Sequence, residues 1–292
     1  MSESLIARLR DLVASGEESK AGMARAAGLH ANSLRALDEA EWNPTTDTLR
    51  KLENWLADRS SGPALSPIED IINEARNGRM YILVDDEDRE NEGDLIIPGQ
   101  MATPDAINFM AKHGRGLICV PTVGERLKQL GIEQMVIQNR DAYKTDFQVS
   151  VDAAKGISTG ISAADRAKTI QIMANPTATP ADLVQPGHVF PLRSKAGGVL
   201  RRAGHTEAAV DLATLAGLRP AGVICEIMND DGSMARLPEL LRFAKKHKLK
   251  ICTIESLIQF RRNSEKLVER VESIRMPTDY GDFKLHLYSS KV

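Results

Sequence analysis

The sequence predicts an α/β (α+β) protein in three unequal parts. These are a small all-helical domain over residues 1–60, a multi-layer domain on a mixed sheet over residues 65–264, and a short tail over residues 265–292. Three observations predict this. Apolar residues recur at helical spacing through about the first 58 positions. Ser60-Ser61-Gly62-Pro63 then reads as a linker. Beyond it, short apolar runs of strand length mix with helical patterns to about residue 262. A length of 292 residues accommodates one sizeable core plus a small extra domain.

In the first domain, Leu5, Ile6, Leu9, Leu12 and Val13 mark an opening helix. Ser19 precedes a second helix, Lys20 to Ala27, which Gly28 ends; Asn32 or Ser33 starts a third through Leu34 and Leu37. Pro44 and Thr45 precede a fourth, Thr48 to Leu56. The stretch Lys20 to Leu37 has small residues where two helices would meet and glycine at the turn. It resembles a helix-turn-helix of the phage-repressor type, with Ala31 to Leu37 in the recognition position. Charge argues the other way: residues 1–60 hold eight Lys and Arg against ten Asp and Glu. The recognition segment offers only Asn32, Ser33 and Arg35 as polar readers, whereas a duplex binder needs several phosphate-neutralising cations. DNA binding and a helical docking or dimerising module both stand as readings.

In the second domain Pro67 opens a helix, Ile68 to Arg76. Strands are predicted at 80–84, 95–98, 116–120, 146–151, 221–228 and 249–253. Helices are predicted at 104–113, 123–130, 162–173, 206–216, 236–247 and 254–262. Between the first two strands lies the most informative segment, Asp85-Asp86-Glu87-Asp88-Arg89-Glu90-Asn91-Glu92-Gly93-Asp94. Its seven carboxylates repel one another, so a fold needs a reason to hold them. The plain account is a solvated acidic loop. Against that, the charges abut buried strands, and an arginine and a glycine sit inside the run. Carboxylates with an embedded arginine suit a hard divalent cation holding an anionic, oxygen-rich substrate. If Arg89 to Asp94 runs extended, Glu90, Glu92 and Asp94 share one face.

Composition is ordinary for a soluble globular protein, at 42% hydrophobic and 27% charged residues. A formal net charge of −2 supplies no global basic field for nucleic acid or anionic membrane. Cys119, Cys225 and Cys252 lie far apart with no zinc-type spacing, which fits a reducing compartment. No run approaches membrane-spanning length and the first residues do not form a signal peptide, so the cytoplasm is the expected location.

Other segments carry chemistry with a structural alternative beside each. Gly197 to Ala208 combines glycines, Arg201, Arg202 and His205, then runs into a helical pattern, so Thr206 or His205 starts a helix. Helix N-termini offer N–H donors and a favourable dipole to phosphate, and Arg202 would add charge-assisted bonds; a basic turn with a capping threonine is the alternative. Thr159 and Gly160 precede a helix that Ser162 and Asp165 would cap in box fashion. His188 lies in what reads as a proline-fixed turn between Pro186 and Pro191. Glu226 sits inside an apolar strand, costly unless paired, ligated or at a site, although an edge strand's polar face would also explain it. Cys119 reads first as a buried thiol and second as a site residue.

Together these segments closely resemble the 3,4-dihydroxy-2-butanone 4-phosphate synthase family over roughly residues 65 to 263. The motifs are the acidic run 85–94, His-Gly-Arg-Gly-Leu-Ile-Cys at 113–119, Ser-Thr-Gly-Ile-Ser-Ala-Ala-Asp-Arg at 158–166, Pro-Gly-His-Val-Phe-Pro-Leu at 186–192, Arg-Ala-Gly-His-Thr-Glu-Ala at 202–208 and Cys-Glu-Ile-Met-Asn-Asp-Asp-Gly at 225–232. The resemblance implies a lyase of riboflavin biosynthesis. It would convert D-ribulose 5-phosphate to L-3,4-dihydroxy-2-butanone 4-phosphate and formate through enolisation, dehydration and skeletal rearrangement. It implies Mg²⁺ or Mn²⁺, two per site, with Glu90 and His205 as metal ligands. Arg89, Glu90, Asp94, Thr159, Arg202, Ala203, Gly204, His205, Thr206 and Glu226 would contact substrate. His188 and Glu226 match catalytic positions, and Glu92 and Cys119 match further pocket positions taken here with the catalytic set. A homodimer is implied, with sites that the partner copy can complete. The first domain lies outside the family's minimal unit. The tail from Leu267 resembles the opening of GTP cyclohydrolase II, but no zinc-ligand cysteines follow, so no cyclohydrolase activity is expected and the tail should be mobile or docked on a neighbour. The alternative function is a DNA-binding regulator whose synthase domain senses a sugar phosphate.

Overall fold

The computed structural model describes residues 2–16, 18–39, 42–60 and 65–290. The chain forms two compact units, 1–64 and 65–292. The expected linker at 61–63 lies outside the described residues.

The first unit contains α1 (Ser2–Ala14), α2 (Lys20–Ala26) and α3 (Thr46–Ser60). Leu5, Leu9, Met23, Ala24, Leu34, Leu37, Leu52 and Leu56 form its core. Ser19 caps α2 by accepting from Gly22 N–H at 3.0 Å. The expected recognition helix is absent: 31–38 is a string of turns. Ser33, Arg35 and Leu37 donate to the carbonyls three residues back, not four. Leu34 and Leu37, three apart and fully buried, suit that tighter spacing because side chains at i and i+3 then eclipse. Cations of the first two helices take the carbonyls this leaves open. Arg10 donates to Leu37 O at 2.8 Å and Glu39 O at 3.0 Å, and Lys20 to Arg35 O at 3.2 Å.

The second unit is a seven-stranded mixed sheet between two helical layers. Its strands are β1 (Tyr81–Val84), β2 (Gly93–Pro98), β3 (Cys119–Thr122), β4 (Val151–Ala153), β5 (Leu183–Arg193), β6 (Gly222–Glu226) and β7 (Lys250–Thr253), in the order β4-β5-β3-β6-β2-β1-β7. β1–β7 and β3–β5 are parallel pairs; the others are antiparallel. The helices are α4 (Ile68–Arg76), α5 (Pro104–Phe109), α6 (Gly124–Gln129), α7 (Ala163–Ala174), α8 (His205–Leu215), α9 (Leu237–His247) and α10 (Ile254–Ser264). The two-residue period of the strands divides their side chains between two cores. Ile82, Leu95, Ile97, Val120, Val223 and Cys225 face α5, α7 and α9. Leu83, Ile96, Cys119, Leu192 and Ile224 face α4, α8 and α10. No helix among the described residues is long and apolar enough to cross a membrane.

Several predicted elements shift. The strand expected at 146–151 shrinks to β4 at 151–153, and the one at 116–120 moves to 119–122. The helix expected at 104–113 ends at Phe109 and widens into a π turn, Met110–Gly114, where Arg115 N–H reaches Met110 O at 3.0 Å. His188 lies not in a turn but inside the eleven-residue β5. Pro186, Gly187 and Pro191 hide that strand in the sequence, since proline and glycine normally punctuate strands. The tail forms a hairpin, β8 (Val268–Thr278) and β9 (Gly281–Ser290), exposed along both strands.

Candidate active site

The site grows from the β1–β2 connection. Arg89 to Asp94 is not extended as expected: 87–90 is a turn, Asn91 takes φ +51°, and β2 begins only at Gly93. The carboxylates converge through this tight loop instead. Asp85 closes it, its N–H donating to Glu92 O at 2.9 Å and its carboxylate accepting from Arg89 Nη1 at 2.5 Å and Glu90 N–H at 3.2 Å. Arg89 also forks onto Glu90, with Nη1 to Oε2 at 2.7 Å and Nη2 to Oε1 at 3.1 Å. Tyr143 holds the arginine from outside, its OH donating to Arg89 O at 3.0 Å and its ring centroid 5.2 Å from the guanidinium carbon.

The sheet supplies the next group. Asp94 on β2 is in register with Glu226 on β6 and with Leu83 on β1. Strand alternation sends Asp94 with Ile96, Glu226 with Ile224, and also Cys119, to the α8 face. Glu226 lies on a central strand, not an edge, and its Oε2 accepts the Leu117 N–H at 2.8 Å. Glycine at 116 permits this: an added Cβ would sit 2.4 Å from that oxygen.

α8 brings the histidine. Gly204 is its N-cap and His205 its first residue. His205 Nε2 lies 3.2 Å from Leu83 O, an atom that can only accept, so Nε2 carries the proton. Burial lowers the pKa of His205, keeping it neutral despite the nearby Asp85 and Glu90. Its Nδ1 lone pair then faces Asp94 Oδ1 at 3.6 Å. That oxygen is buried and has no hydrogen-bond partner. Two facing acceptors in a buried carboxylate cluster are what a cation site presents, and Glu90 and His205 fit that use. Among the described residues no three or more His, Cys, Asp or Glu converge as a complete metal cage. Two protein ligands, with substrate and water oxygens making up the rest, agree with the habits of Mg²⁺.

Burial, reinforced by neighbouring carboxylates, raises the pKa of Asp94, Glu92 and Glu226. Burial likewise pushes the Cys119 thiol up, and Glu226 and Asp94 add to it, so the thiol stays protonated.

Arg202, Ala203, Gly204 and Thr206 lie at the head of α8. Each guanidinium nitrogen of Arg202 donates to the protein: Nη1 to Glu207 at 2.7 Å, Nη2 to Thr145 Oγ1 at 3.0 Å, and Nε to Tyr143 O at 3.1 Å. Its ordered fork fixes the first turn of α8, whose intrahelical bonds begin only with Ala208 N–H on Gly204 O. A Cβ on Gly204 would meet both Arg202 and Arg89 guanidinium nitrogens, at 2.3 and 3.2 Å, which brings the acidic loop and the α8 head together.

His188 and Thr159 form a second group. His188 Nδ1 lies 2.6 Å from Asp152 Oδ2, and its N–H donates to Asp152 Oδ1 at 3.0 Å. Gly160, at φ +94°, fits against this pair; a Cβ there would lie 2.2 Å from Asp152 Oδ2 and 2.6 Å from His188 Nδ1. Thr159 is exposed beside it. The Ser162–Asp165 box is only half formed. Ser162 Oγ accepts from Asp165 N–H at 3.0 Å, but the aspartate reaches back to Ser158 N–H and Oγ and to Gly160 N–H, shaping the loop that carries Thr159. Among the described residues no hydrogen bond or ion pair joins His188 or Asp152 to the first group. Sequence reasoning missed Asp152, Tyr143 and Glu207 as supporting residues. A signal existed for Glu207, a carboxylate just inside an apolar helix; none existed for the others.

The 3,4-dihydroxy-2-butanone 4-phosphate synthase family matches residues 69–260. A 3,4-dihydroxy-2-butanone 4-phosphate synthase of Neisseria meningitidis serogroup B is 56% identical over 228 residues, covering 78% of this chain and 63% of its own length. The riboflavin biosynthesis protein RibBA of Aquifex aeolicus is 58% identical over 227 residues, covering 77% and 56%. The chain thus spans under two thirds of the length of these relatives. Among solved structures, RibBX, a two-domain 3,4-dihydroxy-2-butanone 4-phosphate synthase from A. baumannii, aligns with a TM-score of 0.73 at 52% identity, covering 77% of this chain and 66% of that one. A 3,4-dihydroxy-2-butanone 4-phosphate synthase in complex with two magnesium ions aligns at 0.67 and 44% identity, covering 68% and 98%. Matching the family over most of its second unit, the chain belongs to the 3,4-dihydroxy-2-butanone 4-phosphate synthase family.

Proposed function

We propose that this chain is a metal-dependent lyase converting D-ribulose 5-phosphate to L-3,4-dihydroxy-2-butanone 4-phosphate and formate. The observation that carries the reading is the buried Asp94–His205 pair, with half-buried Glu226 in register with Asp94 and Glu90 nearby, and an unpaired carboxylate oxygen facing an imidazole lone pair. Glu90 and His205 would hold Mg²⁺ or Mn²⁺, two ions per site; a structure of a similar synthase in complex with two magnesium ions supports the divalent metal. When bound, the metal supplies Lewis-acid stabilisation of negative charge on substrate oxygens.

The protein's own groups do the rest. Glu226, with its pKa raised and one oxygen pinned by Leu117 N–H, is placed to take and return a proton next to the substrate carbonyl. Glu92, also raised, offers a second proton carrier, and Cys119 closes the sheet side as a neutral thiol. Arg89 and Asp94 orient substrate hydroxyls. The phosphate would meet the first-turn N–H groups of His205 and Thr206 beside Gly204, with Arg202 adding charge. That grip orients the reacting carbons and lies away from them. Asp152 holds His188 Nδ1, leaving Nε2 to exchange a proton. His188 is exposed and separate from the first group, which supports a homodimer in which this pair and Thr159 serve the site of a second copy. A cytoplasmic location belongs to the same proposal.

Four cations of the first unit are already engaged within it, which weighs against the regulator reading. Arg10 and Lys20 point inward to the turn segment, and Arg50 and Lys51 pair with Asp47. We read it as a helical docking module. Incubating the chain with ribulose 5-phosphate and Mg²⁺ and following the products by NMR tests the proposal. A four-carbon phosphate and formate in equal amounts are expected; substrate returned unchanged by folded, metal-loaded protein would refute it.

A further inference from the structure

One cation reaches the acidic loop from a distant segment. Arg236, the residue before α9, donates from Nη1 to Glu90 O at 2.9 Å and also to Asn91 O. Both carbonyls belong to the turn where Asn91 adopts its left-handed conformation. Among the described residues, Arg89 and Arg236 are the two arginine or lysine side chains hydrogen bonded to this loop, and Arg89 belongs to it.

We propose that Arg236 is a positioning residue for the metal site, fixing through the Glu90 and Asn91 carbonyls the turn that presents Glu90. The inference rests on Glu90 being a metal ligand. Three features support it. Arg236 is anchored at its own end, because its backbone N–H donates to Glu239 Oε2 at 3.2 Å at the start of α9. α9 is laid directly over the loop's exit: Leu240 fills the space above Gly93, where a Cβ would sit 2.4 Å from Leu240 Cδ1. Finally, Arg236 bonds backbone carbonyls and not carboxylates, so it opposes the mutual repulsion of Asp85, Glu90, Glu92 and Asp94 without consuming the oxygens a cation needs. Both bonds leave the one nitrogen, so a lysine ammonium brought to the same point could make part of them. Outer residues of this kind typically change metal affinity about 10–100-fold.

Mn²⁺ binding, read by electron paramagnetic resonance on the full chain without substrate, tests this directly. Arg236→Ala should raise the Mn²⁺ dissociation constant about tenfold, with turnover recovering at high Mn²⁺, and Arg236→Lys should restore part of the affinity. Folded Arg236→Ala binding Mn²⁺ within about twofold of wild type would overturn the proposal. If that variant does not fold, Arg236→Met, which keeps the apolar stem and removes the donors, takes its place under the same criterion. Glu90→Gln separates the two readings. Mn²⁺ lost in Glu90→Gln but retained in Arg236→Ala overturns the role of Arg236 alone; Mn²⁺ retained in Glu90→Gln overturns the metal reading and this inference with it.

Discussion

Asp94→Asn should make the metal-free protein more stable while abolishing its turnover. Asp94 Oδ1 is buried, unpaired and 3.6 Å from a nitrogen that is also an acceptor. Leaving a buried polar atom unsatisfied costs about 1–3 kcal/mol. An asparagine amide can donate to His205 Nδ1 and remove both the charge and the mismatch. For a unit of this size each kcal/mol shifts the melting temperature by about 2–4 °C, so the variant should melt about 2–12 °C higher in chelator at pH 7.5. The pH dependence has a definite sign. Burial raises the Asp94 pKa in the folded chain above its ordinary 3.8, so between those two values the folded state binds more protons than the unfolded one. Wild-type stability therefore falls as pH rises through that window and stays lower above it. The gap between variant and wild type should close as pH falls towards about 4. Saturating Mg²⁺ should also narrow it, since ligand at 100-fold its dissociation constant adds about 2.7 kcal/mol to whichever protein binds it. Differential scanning fluorimetry across pH, with chelator and with Mg²⁺, reads all of this. Asp94→Asn melting at or below wild type in chelator at pH 7.5 would refute the reasoning.

Three further outcomes follow from the same geometry. Glu90→Gln or His205→Ala should lose most turnover and most metal affinity while keeping wild-type circular dichroism; full activity in either undoes the site assignment. Asp152→Asn should lower kcat about 10–100-fold with KM nearly unchanged, because His188 loses the carboxylate that orients it; steady-state formate assays check this, and unchanged kcat removes His188 from the chemistry. A titration of labelled duplex DNA should show no strong salt-dependent binding, since Arg10 and Lys20 are engaged with the turn segment and Arg50 and Lys51 with Asp47; a steep fall of affinity with salt would restore the DNA reading.

The multi-layer α/β architecture was legible because strand runs such as Tyr81–Val84 and Gly222–Glu226 are continuous and apolar except at Glu226. The acidic loop stood out as a candidate site for a similar reason: seven carboxylates beside buried strands contradict local preference. Its geometry was not. Extended backbone would have aligned Glu90, Glu92 and Asp94, but Asn91 turns left-handed and Arg236, 145 positions on, holds the turn. β5 was hidden by prolines that pairing with β3 and β4 tolerates. The segment 31–38 looked helical because Leu34 and Leu37 fit either spacing; the inward Arg10 and Lys20 decided for turns. Asp152 carried no signal, since its partner His188 comes from a strand 36 positions away.

The most direct test of the account is formate release from ribulose 5-phosphate by the purified chain with Mg²⁺, with and without chelator. The account predicts formate that chelator abolishes and added Mg²⁺ restores. No formate from folded protein shown to bind the metal, or formate that chelator leaves untouched, would contradict it.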